Sequence, residues 1–132
     1  MGQQQLLLII LGVIIVGIAI AVGLSLFSAQ SVQSNHDAII NDLNNIAANA
    51  YQHYIRPASM GGGANSYDGT GAAGAAAYSI PTRMQTNENG TYTVKNTATA
   101  CTITGKSSSV TGADVTATVD NQGHVGIKAT GW

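Results

Sequence analysis

The spacing of hydrophobic and polar positions divides the chain into three segments. Residues 1–56 begin as a nearly continuous apolar run and then place an apolar residue at every third or fourth position. Residues 57–80 are rich in Gly and Ala, and residues 81–132 alternate apolar and polar side chains in short runs. These periods predict one long N-terminal helix, a connecting loop and an antiparallel β-sheet domain, which together make an α+β fold.

The first half of the predicted helix, residues 1–28, is apolar enough for a membrane or a filament core. Residues 6–24 carry no charge and would span about 28 Å as a helix, close to the thickness of a bilayer hydrocarbon core. A cleaved secretory signal fits poorly, because residues 2–5 (GQQQ) contain no base and no good small-x-small cleavage site precedes the amphipathic part. We therefore expect a retained helix that is able to cross a bilayer once.

Small side chains recur within this apolar segment at helical spacing. Gly17 and Ala21 lie four residues apart, as do Ala19 and Gly23. A glycine inside a helix costs about 1 kcal/mol relative to alanine, but small residues let helices in an apolar medium approach closely. Helix–helix packing is one explanation, and the general abundance of glycine in membrane helices is the other. The candidate assembly positions are Gly12, Gly17, Ala19, Ala21 and Gly23.

The second half of the helix, residues 29–56, carries one apolar stripe. We expect the stripe to pack on the sheet and Pro57 to end the helix, because proline disfavours helical geometry at the residue before it. A helix of about 80 Å is longer than the small sheet domain, so its apolar half should protrude. The stripe consists of Ile39, Leu43, Ile46, Ala50 and Tyr54. The opposite face is expected to carry Asn35, Asp37, Asn41, Asp42, Asn45, Asn49 and Gln52.

Short alternating runs after the loop predict an antiparallel meander with one apolar face against the helix. Within the loop, residues 57–80, the Gly/Ala-rich stretch 58–77 is expected to have little core of its own. The predicted strands are residues 91–95, 100–104, 114–119 and 124–128, and the predicted turns are 89–90, 105–109 and 120–123. The expected inward side chains are Tyr92, Val94, Cys101, Ile103, Val115, Ala117, Val119, Val125 and Ile127.

The charged residues argue against several classes of function. They make up 8% of the chain, the formal net charge is −1, and they are scattered along the sequence. Binding to nucleic acid or to anionic lipid needs clustered bases, so neither is expected. With a single Glu, Glu88, and no nucleophile, phosphate-loop or metal-ligand motif, we expect no enzyme activity, no cofactor and no metal site.

The remaining residues with reactive side chains have structural explanations. His36, His53 and His124 are too far apart in sequence to form a metal-binding pair on one helix. Cys101 stands in an alternating run and is expected to be a small buried side chain. Asn89 begins the sequon Asn-Gly-Thr, a candidate glycosylation site that coincides with a predicted hairpin turn.

The order of these elements resembles that of type IV pilins and pseudopilins. The family also has a retained apolar N-terminus, here MGQQQLLLII at residues 1–10, followed by a long helix, a loop and a small antiparallel sheet. The acidic residue of the family's fifth mature position corresponds here to Gln5 or Leu7, depending on the mature N-terminus. Archaeal pilins, which this chain also resembles, lack that acidic residue.

The resemblance implies a structural subunit of an extracellular type IV pilus-like helical filament. It implies insertion into the inner (cytoplasmic) membrane, then transfer into a polymer of identical copies by an assembly platform and an ATPase. Two alternatives stay open: a pseudopilin of a type II secretion-like system, and a single-pass membrane-anchored envelope protein. The long helix beyond the apolar span disfavours the last alternative, because an anchor needs only the span itself.

Overall fold

A computed structural model describes residues 2–132 of the chain. The chain divides into two units, residues 1–34 and residues 35–132, and each is described by itself. Helix α1 runs from Gly2 to Ile55 without a break, which confirms the prediction of one long N-terminal helix. Its end directly precedes Arg56 and Pro57, as expected from the restriction that proline places on the residue before it.

The first unit is the apolar part of α1. Between Leu6 and Phe27 every large hydrophobic side chain is more than half exposed, from 52% at Leu11 to 73% at Phe27. This stretch is long and apolar enough to cross a membrane, and none of it is buried against the rest of the chain. The helix therefore presents a fully apolar surface that lipid or another protein chain has to cover.

The second unit packs the amphipathic part of α1 against a four-stranded antiparallel sheet, so the α+β class is confirmed. The strands are β1 (Gly90–Asn96), β2 (Cys101–Ser107), β3 (Asp114–Val119) and β4 (Val125–Thr130), and each pairs with the next along the chain. This order is the predicted meander. Two short helices lie before the sheet and were not predicted: a 3₁₀ turn at Ala58–Met60 and α2 at Thr82–Gln85.

The core of the second unit lies between the helix stripe and the inner face of the sheet. Ile39, Leu43, Ile46 and Ala50 are buried, and Tyr54 is partly buried against them, so the predicted stripe is confirmed. The sheet side consists of Tyr92, Cys101, Ile103, Val115, Ala117 and Val119. Burial raises the pKa of the Cys101 thiol to about 12, in keeping with the predicted role of this residue as a small apolar side chain.

The loop contributes more to this core than the sequence suggests. Tyr67, Tyr78 and Ile80 are all buried, and Tyr67 lies within residues 58–77, where little core was expected. The Tyr67 hydroxyl donates to the Asp120 carbonyl oxygen at 2.8 Å, and the Tyr78 hydroxyl donates to Asn49 Oδ1 at 2.9 Å. Two large aromatic rings in a Gly/Ala-rich segment thus pin the loop to both the sheet and the helix.

Two predicted turns were wrong in detail. Gly105 lies inside β2. A Cβ at this position would come within 2.9 Å of the Tyr92 ring and 3.0 Å of Ile39 Cγ2, so the position has no room for a side chain. Glycine therefore marks a close approach of sheet and helix there, and the turn begins only after Ser107. Asn89 and Gly90 do not form a hairpin turn between two strands, because Gly90 is the first residue of β1.

Strand β4 departs from the predicted burial. Val125 and Ile127 share the inner face with their cross-strand partners, the buried Val119 and Ala117. Nevertheless Val125 is 40% exposed and Ile127 is 39% exposed, and every residue of β4 is exposed. The sheet is thus one strand wider than the part of the helix that covers it.

Candidate assembly surfaces

The small residues of the apolar helix have no function inside the chain. A Cβ added to Gly12, Gly17 or Gly23 would meet nothing within 4 Å, and both Ala19 and Ala21 are exposed. No contact within residues 2–132 therefore requires a small side chain at these positions. Each glycine lowers helix stability by about 1 kcal/mol, and both explanations for it, helix–helix packing and the general abundance of glycine in membrane helices, stay open.

The five small residues lie on two opposite sides of the helix. Successive residues of an α-helix are rotated by about 100°, so Gly12, Ala19 and Gly23 fall within about 40° of one another. Gly17 and Ala21 fall together on the other side, about 160° away. A neighbour on one side alone would need only one of these sets. The two sets therefore suit a helix that is enclosed by other helices.

The inner face of β4 is a second, partly exposed apolar surface. Val125 and Ile127 continue the buried inner face of β3 by one strand, and about 40% of each side chain is exposed. The remaining edge, β1, is flanked instead by α2 and by a bridge between Thr86 and Thr91. The β4 end of the sheet thus offers apolar side chains to another chain.

Two polar residues of α1 fasten the helix to the start of β1, and sequence analysis missed both. Asn35 is buried: its Nδ2 donates to the Asn89 carbonyl oxygen at 3.0 Å, and its Oδ1 accepts from the Ser107 hydroxyl. Asp42 Oδ2 accepts from the Tyr92 hydroxyl at 2.6 Å, from Asn87 Nδ2 at 2.8 Å and from Asn89 Nδ2 at 3.0 Å. The assignment of Asn35 and Asp42 to the solvent face was therefore wrong.

The environment of Asp42 favours its charged form. Burial alone would raise the pKa of this carboxyl, but the hydrogen bonds from Tyr92, Asn89 and Asn87 outweigh it and hold the pKa below its ordinary value. The same contact acts on Tyr92, where burial and the neighbouring carboxylate raise the pKa of the phenol. Asp42 thus remains an anionic acceptor for three donors near neutral pH.

The candidate glycosylation residue takes part in the same cluster. Asn89 Nδ2, the atom that would carry a sugar, donates to Asp42 Oδ2, and the Asn89 side chain is only partly exposed. An attached glycan would have to break this hydrogen bond. Glycosylation at Asn89 stays a prediction, with a structural competitor identified.

The histidines are separated in the structure. The His36 ring lies edge-on to Trp132 with ring centres 4.7 Å apart, and His53 Nε2 lies 2.7 Å from the Ala76 carbonyl oxygen. His124 Nδ1 lies 3.3 Å from an Asp120 carboxylate oxygen. Within residues 2–132, no three His, Cys, Asp or Glu residues are grouped so as to hold a metal ion. The three histidines, which are distant from one another in sequence, thus also have different neighbours in the structure.

Comparison of the chain with protein-family models, with curated proteins and with solved structures finds no match.

Proposed function

We propose that this chain is the structural subunit of a pilus-like helical filament, and that it polymerises through the apolar part of α1. The observation that carries the proposal is the exposure of every large hydrophobic side chain between Leu6 and Phe27. The glycines and alanines of this stretch, which serve no contact within the described chain, support helix–helix packing.

A single-pass membrane anchor is the second candidate, because the same stretch is long and apolar enough to cross a membrane. An anchor, however, needs only an apolar surface toward lipid. It gives no reason for small residues on two opposite sides of the helix, nor for the partly exposed apolar side chains of β4. A secretion pseudopilin would use the same surfaces as a pilin, and location of the polymer distinguishes the two.

Assembly in this proposal is an exchange of apolar neighbours. The subunit waits in the inner membrane with its apolar helix in lipid, and then enters a bundle of identical helices. Because lipid tails and leucine side chains are equally apolar, the exchange gains little hydrophobic free energy. Close packing at Gly17 and Ala21 on one side, and at Ala19 and Gly23 on the other, has to hold the bundle. Extraction from the membrane requires external energy, which an assembly platform with an ATPase would supply.

The first test is the intact mass of this chain in the sheared, cell-free fraction. A filament subunit is expected there in abundance, still carrying its apolar N-terminal segment. Recovery only from the membrane fraction would contradict the extracellular filament and favour the anchor or the pseudopilin. The mass also fixes the mature N-terminus and reports any sugar.

The second test fills one small-residue side of the helix. The double variant Gly17→Leu and Ala21→Leu keeps the segment apolar, so membrane insertion should be unchanged, but it should abolish filaments by preventing close approach. Ile14→Leu with Ile18→Leu is the matched control, because it conserves volume in the same stretch and should assemble normally. Wild-type filament yield from the Gly17 and Ala21 variant would refute the packing argument.

A further inference from the structure

The outer face of the sheet gathers all three lysines of the chain. Strand alternation places Lys95 on β1, Lys106 on β2 and Lys128 on β4 on the side that faces away from the helix. The face has twelve outward positions, of which seven are threonines. We call it the threonine–lysine face: Thr91, Thr93, Lys95, Thr102, Thr104, Lys106, Asp114, Thr116, Thr118, Gly126, Lys128 and Thr130.

This face is open to solvent and carries a charge opposite to that of the rest of the chain. None of its twelve residues is buried. Three lysines and one aspartate give it a net charge of +2, whereas two arginines and five acidic residues give the remainder −3. Among residues 2–132 the ion pairs join histidines to aspartates, and none involves a lysine. Three ammonium groups are therefore available to an external anion.

The spacing of the lysines selects an extended anion. With strands about 4.8 Å apart and a rise of about 3.4 Å per residue, their Cα atoms form a triangle with sides of about 12 to 16 Å. A single phosphate or carboxylate meets two of these lysines only if both long side chains bend toward it, which costs rotamer freedom at each. A polymer that repeats its negative charge along its length contacts all three.

The uncharged residues of the face decide which polyanion fits. There is no aromatic side chain among its twelve residues, so it offers no platform for stacking nucleobases. There is also no large apolar side chain that would enter a lipid surface. The threonine hydroxyls both donate and accept hydrogen bonds, which matches the hydroxyl groups of sugars. We propose that the threonine–lysine face binds an acidic polysaccharide.

Asp114 is the one negatively charged residue of the threonine–lysine face. It lies directly opposite Lys106 in the pairing of β2 with β3, within reach of that lysine's charge. Its carboxylate therefore weakens the attraction of the face for an anion. Lys95 and Lys128 have no acid among their cross-strand partners, which are Thr102 and Thr116. The proposal thus predicts that removing the charge of Lys95 or Lys128 weakens anion binding and that removing the charge of Asp114 strengthens it.

A single threonine–lysine face is expected to bind a polyanion weakly, and many copies of the face on one surface bind it more tightly. An exposed ion pair contributes at most about 1 kcal/mol, or about fivefold in affinity. Many copies on one surface raise the apparent affinity by avidity without any new contact. The chemistry of the face is independent of the filament, whereas its use as an adhesive surface rests on the proposed function.

The test displays the full-length chain on vesicles of zwitterionic lipid and measures retention of fluorescent alginate, with neutral dextran as the reference polymer. The wild type should retain alginate but not dextran, and added salt should weaken retention. Lys95→Gln with Lys128→Gln should lower the apparent affinity by at least about tenfold, and Asp114→Asn should raise it. Arg83→Gln, which removes one positive charge outside the face, should leave retention unchanged.

Equal retention by wild type and the double lysine variant, or no retention by the wild type, would overturn the proposal. Tighter binding of single-stranded DNA or of anionic vesicles than of alginate would overturn the assignment to a polysaccharide. The vesicles contain no filament, so failure of pilus assembly in cells leaves this result intact. Conversely, a negative result here leaves the sheared-fraction test unaffected.

Discussion

Replacing Asp42 by alanine tests whether polar contacts hold the helix to the sheet. The carboxylate accepts from the Tyr92 hydroxyl at 2.6 Å, and Tyr92 is only 2% exposed. Loss of the acceptor leaves that hydroxyl without its partner, which costs about 1–3 kcal/mol. Asn87 is exposed and Asn89 partly so, and water replaces much of what they lose. We expect Asp42→Ala to lower the free energy of unfolding of the second unit by about 2 kcal/mol.

A double-mutant cycle isolates this contact. Tyr92→Phe removes the hydroxyl and keeps the ring in the core, so combining it with Asp42→Ala should cost less than the sum of the two single changes. Urea unfolding of the full chain in detergent, followed by fluorescence of Trp132, measures each free energy. Asn41→Ala, at an exposed position of the same helix, is the control and should change it by less than about 0.5 kcal/mol. Additivity within about 0.5 kcal/mol would refute the coupling.

The same carboxylate gives a pH dependence with a definite sign. The pKa of Asp42 lies below its ordinary value of 3.8 in the folded chain, so its contribution is complete above that value and is lost as pH falls through the folded pKa. Asp42→Asn should therefore flatten the loss of stability below about pH 4. The pKa values of Asp68 and Asp120 are also lowered, by local hydrogen bonds, so part of the acid loss should persist. An unchanged acid limb would contradict this assignment.

Three further predictions test other parts of the molecule. Gly105→Ala places a methyl against the Tyr92 ring and should destabilise by about 1–3 kcal/mol in urea unfolding, whereas Gly126→Ala, with open space around it, should not. Cys101→Ser buries an unpaired hydroxyl and should cost about 1–3 kcal/mol, and the wild-type thiol should resist maleimide until unfolding. Val125→Thr with Ile127→Thr should reduce filament yield at only a modest cost in the unfolding midpoint, because both side chains are already about 40% exposed. A large shift in midpoint would show that these two residues belong to the core.

The long helix and the four strands of this fold were predictable from sequence. Hydrophobic spacing located α1 and its stripe, and alternation located all four strands to within a few residues. Both patterns depend only on which face of a single helix or strand is buried and which faces solvent. The errors fall where a residue's environment depends on a distant segment. Gly105 has the sequence signature of a turn, but the Tyr92 ring and Ile39 determine its place in β2.

The charges illustrate the same limit. Lys95, Lys106 and Lys128 are scattered in sequence, and no local pattern marks them as a group. Only the pairing register of β1, β2, β3 and β4 brings them to one face. Asn35 and Asp42 likewise follow the polar spacing of the helix, yet Asn89 and Tyr92 draw them to the sheet side. The surroundings of these residues depend on which distant segments pair, and no local pattern in a single sequence reveals that pairing.

Folding and the proposed assembly draw on different residues of this chain. None of the side chains of residues 2–34 is buried, whereas the core of the second unit is made entirely by residues from Ile39 onward. Because the apolar part of α1 contributes nothing to that core, the proposed exchange of lipid for neighbouring helices does not require the sheet domain to unfold. The apolar helix and the sheet domain thus have separable requirements, which is why Gly17→Leu with Ala21→Leu should abolish filaments and leave the unfolding of the second unit unchanged.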